Sequence, residues 1–130
     1  MSIQHLIKFG EGKSPNIFSN IADEAAREIK ANASANKSTQ LRKFYDELAM
    51  WNDRVQLDQA DKQAKFKELE PFIKMLKAKV AYAKGRKHVD DHFMAIFNKT
   101  IDEIKCPQTL KEAKLFMEAV MGYCKLYELK

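Results

Sequence analysis

The sequence predicts an all-α protein, a compact bundle of about five amphipathic helices, and three observations carry that expectation. Four glycines and three prolines in 130 residues leave little material for the turns of a sheet protein. Apolar residues make up 45% and charged residues 32%, which fits a soluble globular domain better than a disordered tail or a membrane protein. Apolar positions recur at helical spacing along most of the chain. A chain of this length forms one core and buries roughly two thirds of its unfolded surface without disulfides.

Residues 1–16 hold two glycines and a proline with no sustained period, so a flexible lead-in is expected there, followed by a single helical domain over 17–130. The first helix falls between about Asn16 and Ala31, where Ile17, Ile21, Ala25 and Ile29 recur every four residues with Ala22 and Ala26 beside them. The small, polar run 32–37 is the best candidate for a flexible connection. Ser38 is placed to cap a second helix running to about Leu57, with Leu41, Phe44, Tyr45, Leu48, Trp51 and Val55 on its apolar face.

Asp61 caps the third helix, in which Phe66, Leu69, Phe72, Ile73, Leu76, Val80 and Ala83 keep the period. Pro71 should kink that helix or restart it, and Gly85 should end it in the left-handed conformation. Val89, Phe93, Ile96, Phe97, Ile101 and Ile104 mark a fourth helix, closed by Cys106-Pro107. Thr109 and Glu112 have the spacing of a capping box before Leu115, Phe116, Ala119, Val120, Tyr123 and Tyr127, the last helix.

Charge is unevenly distributed. Between residues 62 and 87, Lys62, Lys65, Lys67, Lys74, Lys77, Lys79, Lys84, Arg86 and Lys87 face only Glu68 and Glu70, although the whole chain carries just +5. Such a local excess is the footprint of a polyanion partner, with the cations expected as one outward strip opposite the apolar stripe. Lysine-rich solvated helix faces are also common, and Arg86 and Lys87 suit the negative end of a helix dipole in any case.

No usual catalytic set is present. His88 and His92 have a spacing that could serve one metal at a helix start, but Val89 stands where a water-activating glutamate would follow, so no metal and no cofactor are expected. The same pair beside Lys84, Arg86 and Lys87 could in principle run metal-independent RNA cleavage. A helical DNA-binding module is a further alternative, although a helix of lysines suits phosphates more than base edges. Gly-rich phosphate loops, nucleophile elbows and Cys-x-x-Cys are missing, which points to a binding or assembly protein. Cys106 and Cys124 fit small apolar core positions. The opening segment, broken by Gln4, His5 and Lys8, lacks the continuous apolar block of a secretory signal, so a cytoplasmic location is expected.

Three motifs carry more than composition does: Ser38-Thr-Gln-Leu-Arg42-Lys-Phe44-Tyr, then Lys77-Ala-Lys-Val-Ala-Tyr82-Ala-Lys-Gly-Arg86, then Phe116-Met-Glu118-Ala-Val-Met-Gly-Tyr123-Cys-Lys-Leu-Tyr127. In this order, over residues 38–128, the chain resembles the small subunit of type III-A CRISPR effector complexes, which act in antiviral defence. The resemblance implies a non-enzymatic subunit present in several copies, stacked head to tail beside the backbone and large subunits. Such a subunit contacts guide RNA and target single-stranded RNA without reading sequence, and it needs no membrane. By motif position it implies RNA contacts from Arg42 and Arg86, to which charge alone adds Lys74, Lys77, Lys79, Lys84 and Lys87. Met50 and Tyr82 are candidates for a stacking face. The family pattern has a basic or imidazole side chain near Cys124, and this chain departs from it there.

Overall fold

The computed structural model describes residues 3–32 and 34–128. Within them lie six α-helical segments and no strand: α1 (Asn20–Lys30), α2 (Ser38–Gln56), α3 (Lys62–Lys74), α4 (Leu76–Gly85), α5 (Asp91–Asp102) and α6 (Pro107–Glu128). No described helix is long and apolar enough to cross a membrane. The apolar stripes face inward as the periodicity requires. Ile21, Ala22, Ala25, Ala26 and Ile29 of α1 are buried against α6, which also carries α2. Phe44 of α2 meets Phe93 and Phe97 of α5 at ring separations of 5.8 and 5.9 Å, and this aromatic cluster fills the middle of the core.

The chain ahead of α1 is not a bare lead-in. Ile3–Leu6 and Gly10–Gly12 form 3-10 turns, and Ile7, Phe9 and Ile17 are buried. Phe9 packs edge-on against Phe116 of α6. Residues 1 and 2, and residues 129 and 130 of the expected domain, lie outside the described residues. Apolar residues without helical period can still be core when a longer helix offers them a surface, which periodicity alone does not reveal.

Several helix ends differ from expectation. Asp61 does cap α3, accepting the Ala64 amide at 3.0 Å. Ser38 is already helical, and its hydroxyl bonds the Glu128 carboxylate instead of capping α2. α6 starts at Pro107, two residues before Thr109, so the capping box does not form. Thr109 Oγ1 instead accepts the amides of Lys105 and Cys106 at 2.7 and 2.9 Å. Glu112 turns to the N-terminal segment, accepting the Gly10 amide at 2.8 Å and pairing with Lys13 at 3.3 Å.

Pro71 sits inside α3 without ending it. Both Pro71 and Lys67 are exposed, so water can bond the Lys67 carbonyl that loses its amide partner. The break comes four residues later, at Met75. The left-handed residue that ends α4 is Lys87, at φ 66°, and not Gly85. The His88 amide returns to the Ala83 carbonyl at 2.9 Å and the Lys87 amide to the Lys84 carbonyl at 2.9 Å, which is the Schellman pattern. A lysine in this conformation carries a strain of about 1 kcal/mol that glycine would not. Lys87→Gly is therefore expected to stabilise the protein by about 1 kcal/mol in urea unfolding. An unchanged or lower midpoint would show that the turn does not strain its backbone.

Candidate nucleic-acid interface

The seven cations singled out in the sequence do not form one strip. Leu76, Val80 and Ala83 are the buried line of α4, which leaves Lys77 and Lys84 on the flank toward α5 and Lys79 on the flank toward α2. Each meets an acid there: Lys77 pairs with Asp102 at 2.5 Å, Lys84 with Asp91 at 3.1 Å, and Lys79 with Glu47 at 2.7 Å. Lys74 pairs within its own helix with Glu70 at 3.6 Å. The expected outward strip is thus divided and partly neutralised. Apart from Glu70, the neutralising carboxylates come from neighbouring helices and lie outside the segment 62–87.

Arg42, Arg86 and Lys87 are different. Arg42 is exposed and only loosely paired, 3.9 Å from Asp46. Arg86 meets no carboxylate among the described residues. Its guanidinium bonds the Tyr82 hydroxyl at 3.2 Å and lies 5.9 Å from that ring's centre. Lys87, exposed on the left-handed turn, likewise forms no ion pair among the described residues.

One buried side chain ties the segment before α2 to the exit of α4, where Arg86 and Lys87 stand. Asn36, fully buried at φ 56°, donates its amide to the His88 carbonyl at 3.1 Å, directly after Lys87. Its Nδ2 donates to Ile29 O at 2.9 Å and to Asp90 Oδ1 at 2.7 Å, while its Oδ1 accepts the Asp90 amide at 2.9 Å. The run expected to be a flexible connection is therefore pinned at Asn36. The pin holds the start of α2 against the exit of α4. Exposed Lys37 follows it, and Arg42 stands about 6 Å beyond Ser38 along the axis of α2. Lys37 was absent from the expected set, because nothing in its own sequence neighbourhood shows that it lies beside the α4 exit.

Arg42 also lines a groove of about 520 Å³ between α2 and α6, with Ser38, Tyr45, Glu118 and Lys125. Beside it, the Glu128 carboxylate takes bonds from Ser38, Lys30 and Lys125, which lower its pKa to about 2. That fixed negative charge faces the positive end of the α2 dipole. Cys124 is fully buried on α6, and burial raises its thiol to about 11. A contact from the position where the family pattern has a cation is closed to this chain. Cys106 is only half-buried, not a core residue, with its sulfur 3.5 Å from Thr109 Oγ1.

His88 lies in the turn before α5, whose cap is Asp90, so His88 and His92 are not one helical turn apart on a shared face. Among the described residues no group of three or more His, Cys, Asp or Glu side chains is placed to hold a metal. The arrangement suits what exposed, weakly committed cations do, namely meeting phosphate oxygens.

A family model described as Csm2 Type III-A matches residues 12–130, reaching further toward the N-terminus than the motifs in 38–128. No curated protein and no solved structure matches the chain.

Proposed function

The chain belongs to the Csm2 family, the small subunits of type III-A CRISPR complexes, and from that premise we propose a non-enzymatic role in which several copies stack head to tail and hold RNA by its phosphates. The guide and target RNA are the nucleic acid partners, and the backbone and large subunits are the protein partners. The observation that carries this reading is that Arg42, Arg86 and Lys87 are exposed with little or no carboxylate pairing among the described residues. Phosphate contacts position a strand without reading it, which suits a subunit that must accept any guide. Lys74, Lys77, Lys79 and Lys84 form an outer set. Their exposed ion pairs are each worth about 0–1 kcal/mol, so a phosphate can displace the carboxylate.

Titrating the full-length protein with labelled 20-nucleotide RNAs of different sequence at several salt concentrations tests the reading. Affinity should fall steeply with salt, and the slope should shrink by about 0.7 for each phosphate contact removed. Arg86→Ala and Arg42→Ala should each remove one such contact, equally for every sequence, whereas Lys74→Ala should do less. The RNA should remain intact. Sequence-selective losses, an unchanged slope in both arginine variants, or cleavage abolished by His88→Ala would each overturn the proposal.

A further inference from the structure

Phe72, Met75 and Tyr82 are large apolar side chains left 51%, 54% and 67% exposed. With Lys79 and Arg86 they recur at alternating steps of three and four residues, the spacing of one helix face. The break at Met75 does not turn that face away. The Met75 amide bonds the Pro71 carbonyl at 3.0 Å and the Lys79 amide bonds the Met75 carbonyl at 3.2 Å, so helical bonding runs through it. The result is a ribbon along the flank that borders α2, with Phe72 and Tyr82 about 15 Å apart; Lys79 within it pairs with Glu47 at 2.7 Å, an exposed pair that a phosphate can displace.

Each aromatic is already part of a stack that lacks its outer layer. Arg54 lies over Trp51 at 5.3 Å, and Trp51 stacks on Phe72 at 5.7 Å and an interplanar angle of 21°. Phe72 ends this column half-exposed. At the other end of the ribbon Arg86 lies beside the exposed Tyr82 ring. Aromatic faces set among cations are how proteins hold single-stranded nucleic acid, since every base offers a flat face and every linkage a charge.

Resting on the RNA-binding reading above, we propose that this ribbon is a stacking track for unpaired nucleotides, one base seated on Phe72 and another on Tyr82, with Lys79 and Arg86 meeting the phosphates between and beyond them. The RNA engaged here is therefore single-stranded at these positions and not duplex.

The test compares two labelled strands of equal length, a uridine 20-mer and an abasic ribose-phosphate 20-mer, binding the full-length protein at low salt. Phe72→Ala and Tyr82→Ala should each weaken uridine binding about tenfold and leave the abasic strand unaffected. Tyr82→Phe, which keeps the ring, should bind uridine like the parent. Equal loss on both strands, or no loss on either, overturns the stacking track. So does a change in oligomeric state at unaltered uridine affinity, which would make the ribbon an interface between copies. If Arg42→Ala and Arg86→Ala still weaken both strands in those cases, the phosphate reading survives and only the track falls. Binding of neither strand removes both.

Discussion

Asn36→Ala is expected to destabilise the protein by about 3–4 kcal/mol. The side chain is fully buried and satisfies the Ile29 carbonyl and the Asp90 amide, and it shares the Asp90 carboxylate with the Phe93 amide and Asn32. A buried group left unsatisfied costs about 1–3 kcal/mol, and the left-handed backbone adds about 1 kcal/mol for alanine. Asn36→Gly separates the two contributions, because glycine accepts φ 56° freely and loses only the side-chain bonds. It should therefore fall between the parent and Asn36→Ala in urea unfolding. If both variants unfold within about 0.5 kcal/mol of the parent, the size of an ordinary surface effect, the clasp between the start of α2 and the exit of α4 does not hold the bundle. Because the same clasp fixes the α4 exit that carries Arg86 and Lys87, RNA affinity should weaken in Asn36→Gly even where the protein stays folded.

The contrast between what periodicity shows and what it misses has a physical cause. The inward faces of α1, α2 and α5 are written locally, because a buried stripe must repeat every turn; Ile21, Leu41 and Phe93 were identifiable for that reason. Asp61 was legible too, since a cap bonds an amide three residues away. Asn36 and Glu112 were not, because their partners lie 54 and 102 residues distant. Thr109 and Glu112 even carry a valid local pattern, but tertiary packing started α6 at Pro107 and gave both side chains other partners. The candidate interface divides the same way. Motif resemblance selected Arg42, in the groove between α2 and α6, and Arg86, at the exit of α4, neither held by a close carboxylate among the described residues. Counting charge selected Lys77, Lys79 and Lys84, whose partners Asp102, Glu47 and Asp91 sit on other helices and were invisible to a segment-by-segment count.

Glu112 supplies the second large effect, and it is pH-dependent. Its carboxylate is nearly buried, and burial alone would raise its pKa. Bonds from Gln108, from the Gly10 amide and from Lys13 outweigh that and hold it below the ordinary value of 4.5. A carboxylate with a lowered folded pKa stabilises the native state fully above its unfolded pKa, and that stabilisation is lost as pH falls through the folded value. Between about pH 5 and pH 3 the parent should lose stability more steeply than Glu112→Gln, which keeps an oxygen for the Gly10 amide but has no proton to take up. Asp58, Asp90, Glu118 and Glu128 are also lowered and contribute to the acid limb of both proteins, so the difference between the two curves isolates Glu112. Removing the group altogether, as in Glu112→Ala, leaves the Gly10 amide without its acceptor and should cost about 2 kcal/mol at neutral pH, the worth of a hydrogen bond to a charged group. The loss should be concentrated in the N-terminal turns, where amide exchange of residues 7–12 would accelerate more than that of α6. Parallel acid curves for the parent and Glu112→Gln, or exchange that rises uniformly across the chain, would mean that Glu112 does not tether the N-terminal segment.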